Sequence, residues 1–367
     1  MGGSDRRLSA MRRVLLKWAE SHGRHMPWME DRDPYKVWLA EVVLQQTRVE
    51  QGLPYFRKFV QKYPDVSHLA AVEESVFFKD WEGLGYYQRA RNLLKAARHI
   101  VAQRGGEMPT SYEEWLRLPG VGPYTAAAIM VFAFERPYPV IDSNVARVLA
   151  RLWNVAGDVS RAPQRQELHA LYEKWRGRHS PSDFAQALLD FGALQCVAMR
   201  PDCASCPLQS YCIAHAREVV DDVPPRRKTL KEQVYFHYLL IEDHRHRVLV
   251  TKRRNGTFWS GLYEFPVVES KEAFLDEKGL IAHLAAATTS RVMLHYTGLE
   301  RHQVLSHRRV HARLYRFSVF EGVGEHDFIQ HYKQGMWADA AQMKLLPMSR
   351  LMDFFRQWWL GQITQSS

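Results

Sequence analysis

Two regions of different hydrophobic periodicity divide this chain of 367 residues. From residue 8 to about residue 218, apolar residues recur every three or four positions between glycines and prolines, which predicts an almost wholly helical region. After residue 232 the patterns are mostly those of strands and predict an α+β domain of about 130 residues. Its strands are expected at Val234–Ile241, at Val248–Thr251, near Val292–Tyr296 and at Leu314–Val319, and its helices at 272–287 and 349–360.

A charged stretch with two adjacent prolines separates the two regions. Residues 219–232 have the composition typical of a linker. We therefore expect a multi-domain chain, with an all-α region over residues 1–218, a linker over 219–232 and the α+β domain over 233–367.

The stretch from Leu118 to Asp142 contains a tight turn before an alanine-rich helix. Gly120 and Gly122 follow Pro119, and this arrangement predicts a hairpin through which no helix could continue. Unpaired backbone N–H groups crowd the start of the helix that follows, which is a place where a phosphate binds. The alternative is a glycine-rich helical turn that binds nothing.

Glu41 is the one charged residue in an apolar helical run. Asp33 and Pro34 predict the start of that helix, and the run Val37–Leu44 is apolar on all sides, as in a buried helix. Burial would raise the pKa of the Glu41 carboxyl and let it hold a proton near neutral pH. A glutamate paired with a core arginine explains the run equally well.

Asp142 stands directly before another predicted helix. It is followed by Ser143, Asn144 and a helical pattern through Trp153, so the simplest role of Asp142 is to cap that helix. Capping and catalysis are compatible if the carboxylate faces a cleft.

A glycine-hinged turn over Trp81–Tyr87 presents aromatic residues in front of a basic helix. Exposed aromatic and apolar side chains beside basic residues suit a protein that wedges into a base stack. Taken by itself, the turn is better explained as a core aromatic cluster.

All four cysteines fall in one short loop, with six, two and five residues between them. Such a loop, in a chain that we expect to be intracellular, indicates a metal site rather than disulfides. Tetrathiolate ligation suits either zinc or a [4Fe–4S] cluster, and the spacing physics does not choose between them. The four ligands are Cys196, Cys203, Cys206 and Cys212.

Composition adds a polyanionic partner to this picture. The formal net charge of +10 and the pI of about 9.4 favour binding to nucleic acid. No run approaches the ~20 apolar residues of a membrane span, and the N-terminus lacks the pattern of a signal peptide. We therefore expect an intracellular, cytoplasmic protein that binds a polyanion and no membrane.

The order of elements in the second region resembles the Nudix fold. Strand, turn and strand are followed by Trp259–Pro266, after which a Nudix hydrolase has an arginine and a cluster of glutamates that hold Mg²⁺. Here Val267–Gly279 contains only the scattered Glu269, Glu272 and Glu277 and no arginine. The resemblance therefore implies recognition of oxidised guanine rather than phosphohydrolysis.

With these motifs assembled, the chain resembles the adenine DNA glycosylases of the MutY type over nearly its full length. The hairpin with Asp142 is similar to the helix-hairpin-helix of DNA glycosylases, and the cysteine spacing to the iron–sulfur loop of endonuclease III relatives. Residues 41–47 carry a further specific motif. The resemblance implies excision of adenine opposite 8-oxoguanine, and also opposite guanine, in base excision repair. It further implies a monomer that binds double-stranded DNA and carries a [4Fe–4S] cluster of structural role.

The family's chemistry can be matched to residues here. A neutral Glu41 would protonate adenine, which is a poor leaving group until protonated. Asp142 would stabilise the oxocarbenium-like sugar that is left, a division of labour common in glycoside hydrolysis. By resemblance, Asn144 and Tyr124 support Asp142 and the sugar.

The resemblance also assigns DNA contacts. The target base must leave the duplex to reach Glu41. By resemblance, Gln46 and Tyr86 fill the gap that the base leaves, and Thr47, Leu84, Ser306 and His307 contact the opposite 8-oxoguanine. Gly120 and Gly122 of the hairpin bind phosphate.

Tyr124 and three departures distinguish this chain from relatives. Bifunctional endonuclease III relatives carry a lysine at the position of Tyr124, and a phenol cannot form a Schiff base, so we expect no efficient strand cleavage. Ser143 stands where the family usually has glycine, Leu305 where it has phenylalanine, and Met29 where relatives often have arginine or glutamine.

Three rival hypotheses of function remain: a glycosylase for oxidised pyrimidines, a non-catalytic damage-binding protein and a nucleotide-pool phosphohydrolase.

Overall fold

The computed structural model describes residues 2–225, 231–254, 258–271, 277–285, 292–305, 307–319, 325–332 and 335–366. The chain forms two compact units. The first consists of Met1–Ala71 and Asn92–Lys228, and the second of Val72–Arg91 and Thr229–Ser367.

Helices dominate the chain before residue 226, and residues 2–225 contain no strand, which confirms the expected helical region. The helices are α1 (Gly2–His22), α2 (Pro34–Leu44), α3 (Val49–Lys62), α4 (Val66–Ala71), α5 (Glu74–Asp80), α6 (Tyr87–Arg104), α7 (Tyr112–Leu116), α8 (Pro123–Phe132), α9 (Ser143–Trp153), α10 (Ala162–Arg176), α11 (Pro181–Asp190) and α12 (Ile213–Ala216). A π-helical turn at Phe191–Gln195 precedes the first cysteine. None of the described helices is long and apolar enough to cross a membrane.

Two buried helices form the part of the first unit that matters for the site. The side chain of Asp33 caps α2 by accepting a bond of 2.8 Å from the backbone N–H of Tyr35. Gly122 precedes Pro123 at the start of α8, and α2 and α8 pack against each other. Because both helices are apolar nearly all round, their packing buries any polar side chain at the contact.

A separate core joins α1, α9, α10 and α11. It is built from buried side chains that include Leu15, Leu149, Tyr172 and Phe184. The cysteine loop packs against this same core through Cys196, Cys206 and Cys212. The cysteine loop and α9, which Asp142 caps, therefore pack in the same core.

A mixed sheet organises the second unit, which confirms the expected α+β class. Its strands are β1 (Glu232–Glu242), β2 (Val248–Lys252), β3 (Tyr263–Glu264), β4 (Val267–Ser270), β5 (Val292–Val304), β6 (Arg308–Val319) and β7 (Gly335–Ala338). The strand order is β3-β2-β1-β6-β5, with β4 on β1 and β7 on β2; β1 and β6 are parallel and pair Tyr238 with Leu314. Its helices are α13 (Glu277–Ala285), α14 (Glu325–His331), α15 (Ala340–Leu345) and α16 (Arg350–Ser366).

Both faces of this sheet are covered. On one face Phe236 and Leu314 pack with Phe355 and Trp359 of α16, and on the other Leu239 and Phe317 belong to a second core with α13 and α14. Strands β5 and β6 are longer than the sequence pattern predicted, because arginines and histidines occupy their outer positions and hide the apolar alternation.

Candidate active site

Glu41 lies at the contact between α2 and α8. The residue is 9% exposed. Burial raises the pKa of the Glu41 carboxyl to about 8, and the nearby charge of Asp142 adds to this shift. No described arginine is among the groups that shift this pKa, so the structure favours a buried acid over an ion pair with a core arginine.

Tyr124 is the polar neighbour of Glu41 on α8. A hydrogen bond between the phenol and the Glu41 carboxyl lowers the pKa of that carboxyl by less than burial raises it. Burial and the charges of Glu41 and Asp142 hold the pKa of Tyr124 well above its ordinary value. The phenol is therefore a neutral hydrogen-bond donor, with no means of acting as a nucleophile.

Asp142 caps α9, as its sequence position predicted. One carboxylate oxygen accepts a bond of 2.7 Å from the backbone N–H of Val145, and the other accepts one of 2.9 Å from the Asn144 amide. These donors and the helix N-terminus stabilise a negative charge on Asp142. The structure thus brings together the four predicted catalytic residues, two carboxyl groups in unlike surroundings with Tyr124 and Asn144 beside them.

The hydrogen bonds of Asn144 extend to a residue that the sequence pattern did not single out. Nη2 of Arg147 donates to Oδ1 of Asn144 at 3.0 Å, and the same guanidinium donates to the carbonyls of Gly192 and Cys196 at 2.7 and 2.9 Å. Gly192 lies so close that an added Cβ would come within 2.9 Å of the Asn144 Cβ. The only signal in the sequence is the three-residue spacing of Asn144 and Arg147, which places both on one helix face.

The four predicted metal ligands line one cavity. Cys196, Cys203, Cys206 and Cys212 all contribute to its wall, together with Arg151, whose guanidinium lies 3.5 Å from the Cys196 sulfur. Burial, together with the nearby thiols, raises the pKa of Cys206 to about 11. Within the described part of the chain, no three or more histidine, cysteine or carboxylate side chains are arranged closely enough to hold a metal ion.

The predicted DNA-contacting residues have different exposures. In the first unit Gln46 and Gly120 are exposed, and Thr47 and Gly122 are partly so. Gly120 has a φ of 80°, and a Cβ there would also meet Asn92 at 2.7 Å, so only glycine fits this hairpin.

In the second unit, the Trp81–Tyr87 turn contains both core residues and an exposed aromatic side chain, so each of the two interpretations of its sequence holds in part. Leu84 is buried and Tyr86 is 46% exposed. His307 is exposed at the turn between β5 and β6, and Ser306 lies outside the described residues.

The three departures from the family pattern fall outside the hydrogen bonds of the catalytic group. Ser143 is exposed on the first turn of α9, and Met29 is partly buried. Leu305 is partly buried against the core of the second unit.

The buried acid gives a testable pH dependence of stability. The folded-state pKa of Glu41 is about 8, above its ordinary value of 4.5, so its contribution to stability is complete below pH 4.5 and is lost as the pH rises to 8. Relative to the Glu41→Gln variant, the free energy of unfolding should fall by ~1.4 kcal/mol per pH unit through this window. Urea unfolding of both proteins between pH 5 and pH 9 measures the difference, and a constant difference would contradict the shifted pKa.

Comparisons with known proteins match both regions of the chain to known families. The model of the HhH-GPD superfamily of base excision DNA repair proteins matches residues 39–176, and that of the NUDIX domain matches residues 237–355. A solved thermostable thymine-DNA glycosylase is 28% identical, with a TM-score of 0.54, and its match covers 58% of this chain and 99% of that structure.

Two curated relatives narrow the class. An adenine DNA glycosylase of Buchnera aphidicola is 32% identical over 265 residues, which is 71% of this chain and 75% of the relative. That of Homo sapiens is 39% identical over 219 residues, which is 57% of this chain and 40% of the relative. The fold and the paired carboxyl groups thus define a base excision DNA glycosylase of the helix-hairpin-helix superfamily. Within that class, the chain belongs to the adenine DNA glycosylase family.

Proposed function

We propose that this adenine DNA glycosylase excises adenine opposite 8-oxoguanine, and also opposite guanine, by acid-assisted cleavage of the N-glycosidic bond without efficient strand cleavage. Removal of adenine from mispairs in base excision repair is the activity of its family. The observation that carries the mechanism is the buried Glu41, whose carboxyl has a pKa of about 8, beside the capped carboxylate of Asp142.

The proton comes from Glu41. At neutral pH this carboxyl is protonated and, in a site that excludes water, it donates to N7 of a flipped adenine. Protonation turns the base into a leaving group that departs with the bonding electrons. Tyr124 orients the acid and, being a phenol, does not attack the sugar.

The developing positive charge on the sugar is stabilised by Asp142. The backbone N–H of Val145 and the amide of Asn144 fix both oxygens of this carboxylate before the substrate arrives. Water then forms a bond to the anomeric carbon of the deoxyribose and loses a proton, which balances the proton that Glu41 delivered to the base. A covalent adduct on Asp142 would be consistent with the same geometry.

Binding of double-stranded DNA rests on backbone and charge. The hairpin at Gly120 and Gly122 leads into α8, where side-chain capping is absent and N–H groups are available to a phosphate. We propose that Gln46 and Thr47 of the first unit contact the DNA at the mispair and that Tyr86 of the second unit does so as well. Leu84, whose side chain is buried, supports the turn that carries Tyr86. The net charge of +10 supplies the long-range attraction.

We assign recognition of 8-oxoguanine to the α+β domain. His307 is exposed at the β5–β6 turn. Ser306 lies outside the described residues, and its part in the recognition loop rests on the family resemblance alone. Glu269, one of the scattered glutamates, forms an ion pair of 2.5 Å with Arg253, so a Mg²⁺ ion at this carboxylate would compete with a guanidinium. This pairing supports recognition without phosphohydrolysis.

We infer that the four cysteines hold a [4Fe–4S] cluster. They line a shared cavity, and their spacing resembles that of the iron–sulfur loop of endonuclease III relatives, which favours a cluster over zinc. Because the pKa of Cys206 is raised to about 11, a bound cationic group would be needed to keep this sulfur as a thiolate at neutral pH. Such a cluster supplies structural cross-linking of the loop, and the chain's own Arg147 and Arg151 hold the loop backbone against α9.

The direct test of the proposed function is an excision assay. Duplexes containing adenine opposite 8-oxoguanine, adenine opposite guanine or thymine glycol are incubated with the protein and then heated with or without alkali. The expected result is strand cleavage at the position of adenine in the samples treated with protein and then alkali, and intact strands in those treated with protein but no alkali. Cleavage at thymine glycol, or tight binding with intact DNA, would contradict it.

The absence of a Schiff-base nucleophile predicts little covalent trapping. Because Tyr124 is a neutral phenol, borohydride should trap only a small fraction of the protein on DNA, whereas Tyr124→Lys should trap more. Gel analysis of the adduct measures both, with a bifunctional endonuclease III relative as the positive control. A wild-type yield equal to that control would refute monofunctional chemistry.

Loss of one thiol should remove the cluster. Cys203→Ser is expected to lower bound iron and the visible absorbance of the purified protein, because the hydroxyl is a poor iron ligand. Ser205→Ala, in the same loop, is the matched control and should keep both the bound iron and the visible absorbance. Wild-type protein with stoichiometric zinc and no iron would refute the assignment.

A further inference from the structure

The Trp81–Tyr87 turn is part of the second unit and has a strained backbone. Gly83, Gly85 and Tyr86 all have positive φ, of 99°, 70° and 48°. A tyrosine keeps such a conformation only where its surroundings hold it there. The ring that this conformation displays is 46% exposed. The turn therefore presents one aromatic side chain at an energetic cost that other contacts must offset.

Bonds within the turn supply part of that support. Nε1 of Trp81 donates to the carbonyl of Gly85 at 2.9 Å, and Arg89 donates to the carbonyl of Leu84 at 3.3 Å. The Arg89 guanidinium also lies 5.6 Å from the centre of the Tyr86 ring. These contacts close the turn, but they do not fix it to the rest of its unit.

Arg356 of α16 makes that connection. It is 4% exposed, and its Nη2 lies 3.1 Å from Oε1 of Glu82 in the turn. Its other donors reach the carbonyls of Met343 and Leu346 at 3.1 and 3.0 Å and the carboxylate of Asp353. A buried guanidinium with all its directions used is a rigid anchor for the carboxylate it holds.

Neighbouring bonds hold the two sides of the turn to the same segment. Oε1 of Glu82 also accepts the backbone N–H of Met348 at 3.3 Å, and Oη of Tyr87 donates to the carbonyl of Met348 at 3.0 Å. Lys79 pairs with Glu82 at 2.5 Å. The turn is thus connected, before and after its strained residues, to the segment that leads into α16.

We propose that Arg356 is a positioning residue for recognition of the opposite base. By holding Glu82, it keeps the strained turn in the conformation that presents Tyr86 to DNA, so base discrimination depends on the C-terminal helix. The inference rests on the proposed function, in which this turn contacts the mispair. Arg356 itself does not touch the substrate.

The test is the ratio of kcat/KM for adenine opposite 8-oxoguanine to that opposite guanine in the full-length holoenzyme. Arg356→Gln should lower this ratio by roughly tenfold, and Arg356→Lys should restore part of it. The pH profile set by Glu41 should stay unchanged, because the chemistry is not altered. Glu82→Gln should give a comparable loss, and the double variant should lose no more than the larger of the two single losses, because both single variants break the contact between Arg356 and Glu82.

Arg253→Gln is the matched control. Arg253 is 6% exposed, belongs to the same unit and pairs with Glu264 at 2.8 Å, so its loss destabilises the domain without removing the Glu82 contact. An equal loss of discrimination in this variant, or additive effects of Glu82→Gln and Arg356→Gln, would overturn the inference.

Tyr87→Phe provides a milder variant in case Arg356→Gln does not fold. It removes the bond to the Met348 carbonyl, leaves the Arg356–Glu82 contact in place and should lower the same ratio to a smaller extent. A wild-type protein without preference between the opposite bases would overturn the proposed function and this inference with it. A wild-type preference that all turn and Arg356 variants retain would overturn the inference alone.

Discussion

Replacing Glu41 with glutamine should reduce the single-turnover rate of adenine excision by roughly 10²–10⁴-fold, the contribution of a positioned general acid. Glutamine fills the same space at the contact of α2 and α8 and keeps a hydrogen-bonding partner for Tyr124, but it has no acidic proton to deliver. DNA affinity should be retained, because this buried side chain is not among the groups proposed to bind the backbone.

The matched control for Glu41→Gln is a buried carboxylate with no proposed chemical role. Asp190 in the same unit is fully buried and forms an ion pair of 2.7 Å with Arg24. Asp190→Asn should lower stability, since it leaves Arg24 with a neutral partner, but should keep the excision rate of the folded protein. Excision by Glu41→Gln within tenfold of the wild-type rate would disprove the role of Glu41 as the acid.

Replacing Asp142 with asparagine should lower the same rate by roughly 10²–10³-fold, the range found when one preorganised electrostatic contact to a transition state is lost. Asparagine is as good a helix cap as aspartate, so α9 should begin at the same residue and stability should change little. The charge of Asp142 also raises the pKa of Glu41, so the alkaline limb of the remaining activity should move below pH 8.

A second capping aspartate separates the loss of charge from the loss of a cap. Asp33 accepts the backbone N–H of Tyr35 at 2.8 Å at the start of α2, as Asp142 accepts that of Val145. Asp33→Asn is therefore expected to leave excision unchanged. If Asp142→Asn behaved like Asp33→Asn, or if its alkaline limb moved upwards, the electrostatic role of Asp142 would be refuted.

The features that sequence patterns predicted correctly are those set by neighbouring residues, such as buried helices, helix caps and the class of each domain. The apolar run around Glu41 indicated a buried helix, and Asp142 before a helical pattern indicated a cap; both are confirmed. The class of both domains is confirmed as well, because the change of period near residue 232 is large. Strands of two to four residues, such as Tyr263–Glu264, were missed because so short a stretch has no measurable period.

Contacts between distant residues could not be predicted from local sequence patterns, and only the resemblance to a known family brought Glu41, Tyr124 and Asp142 together. The pKa of Glu41 depends on Tyr124 and Asp142, which lie 83 and 101 positions away, and no periodicity connects them. The bonds of Arg147 to the backbone of Gly192 and Cys196 depend in the same way on helix packing. Membership of the segment Val72–Arg91 in the second unit was not foreseen, since its helical pattern resembles that of its neighbours.

The protonation state of Glu41 is the central claim, and infrared difference spectroscopy measures it directly. Spectra of the Glu41→Gln protein are subtracted from those of the wild type across a pH series, so that the carbonyl stretch of the protonated Glu41 acid is isolated from all other carboxyl groups. The structure predicts that this band persists through neutral pH and disappears with a midpoint of about pH 8. A midpoint near 4.5, the ordinary value for a glutamate, would contradict the account.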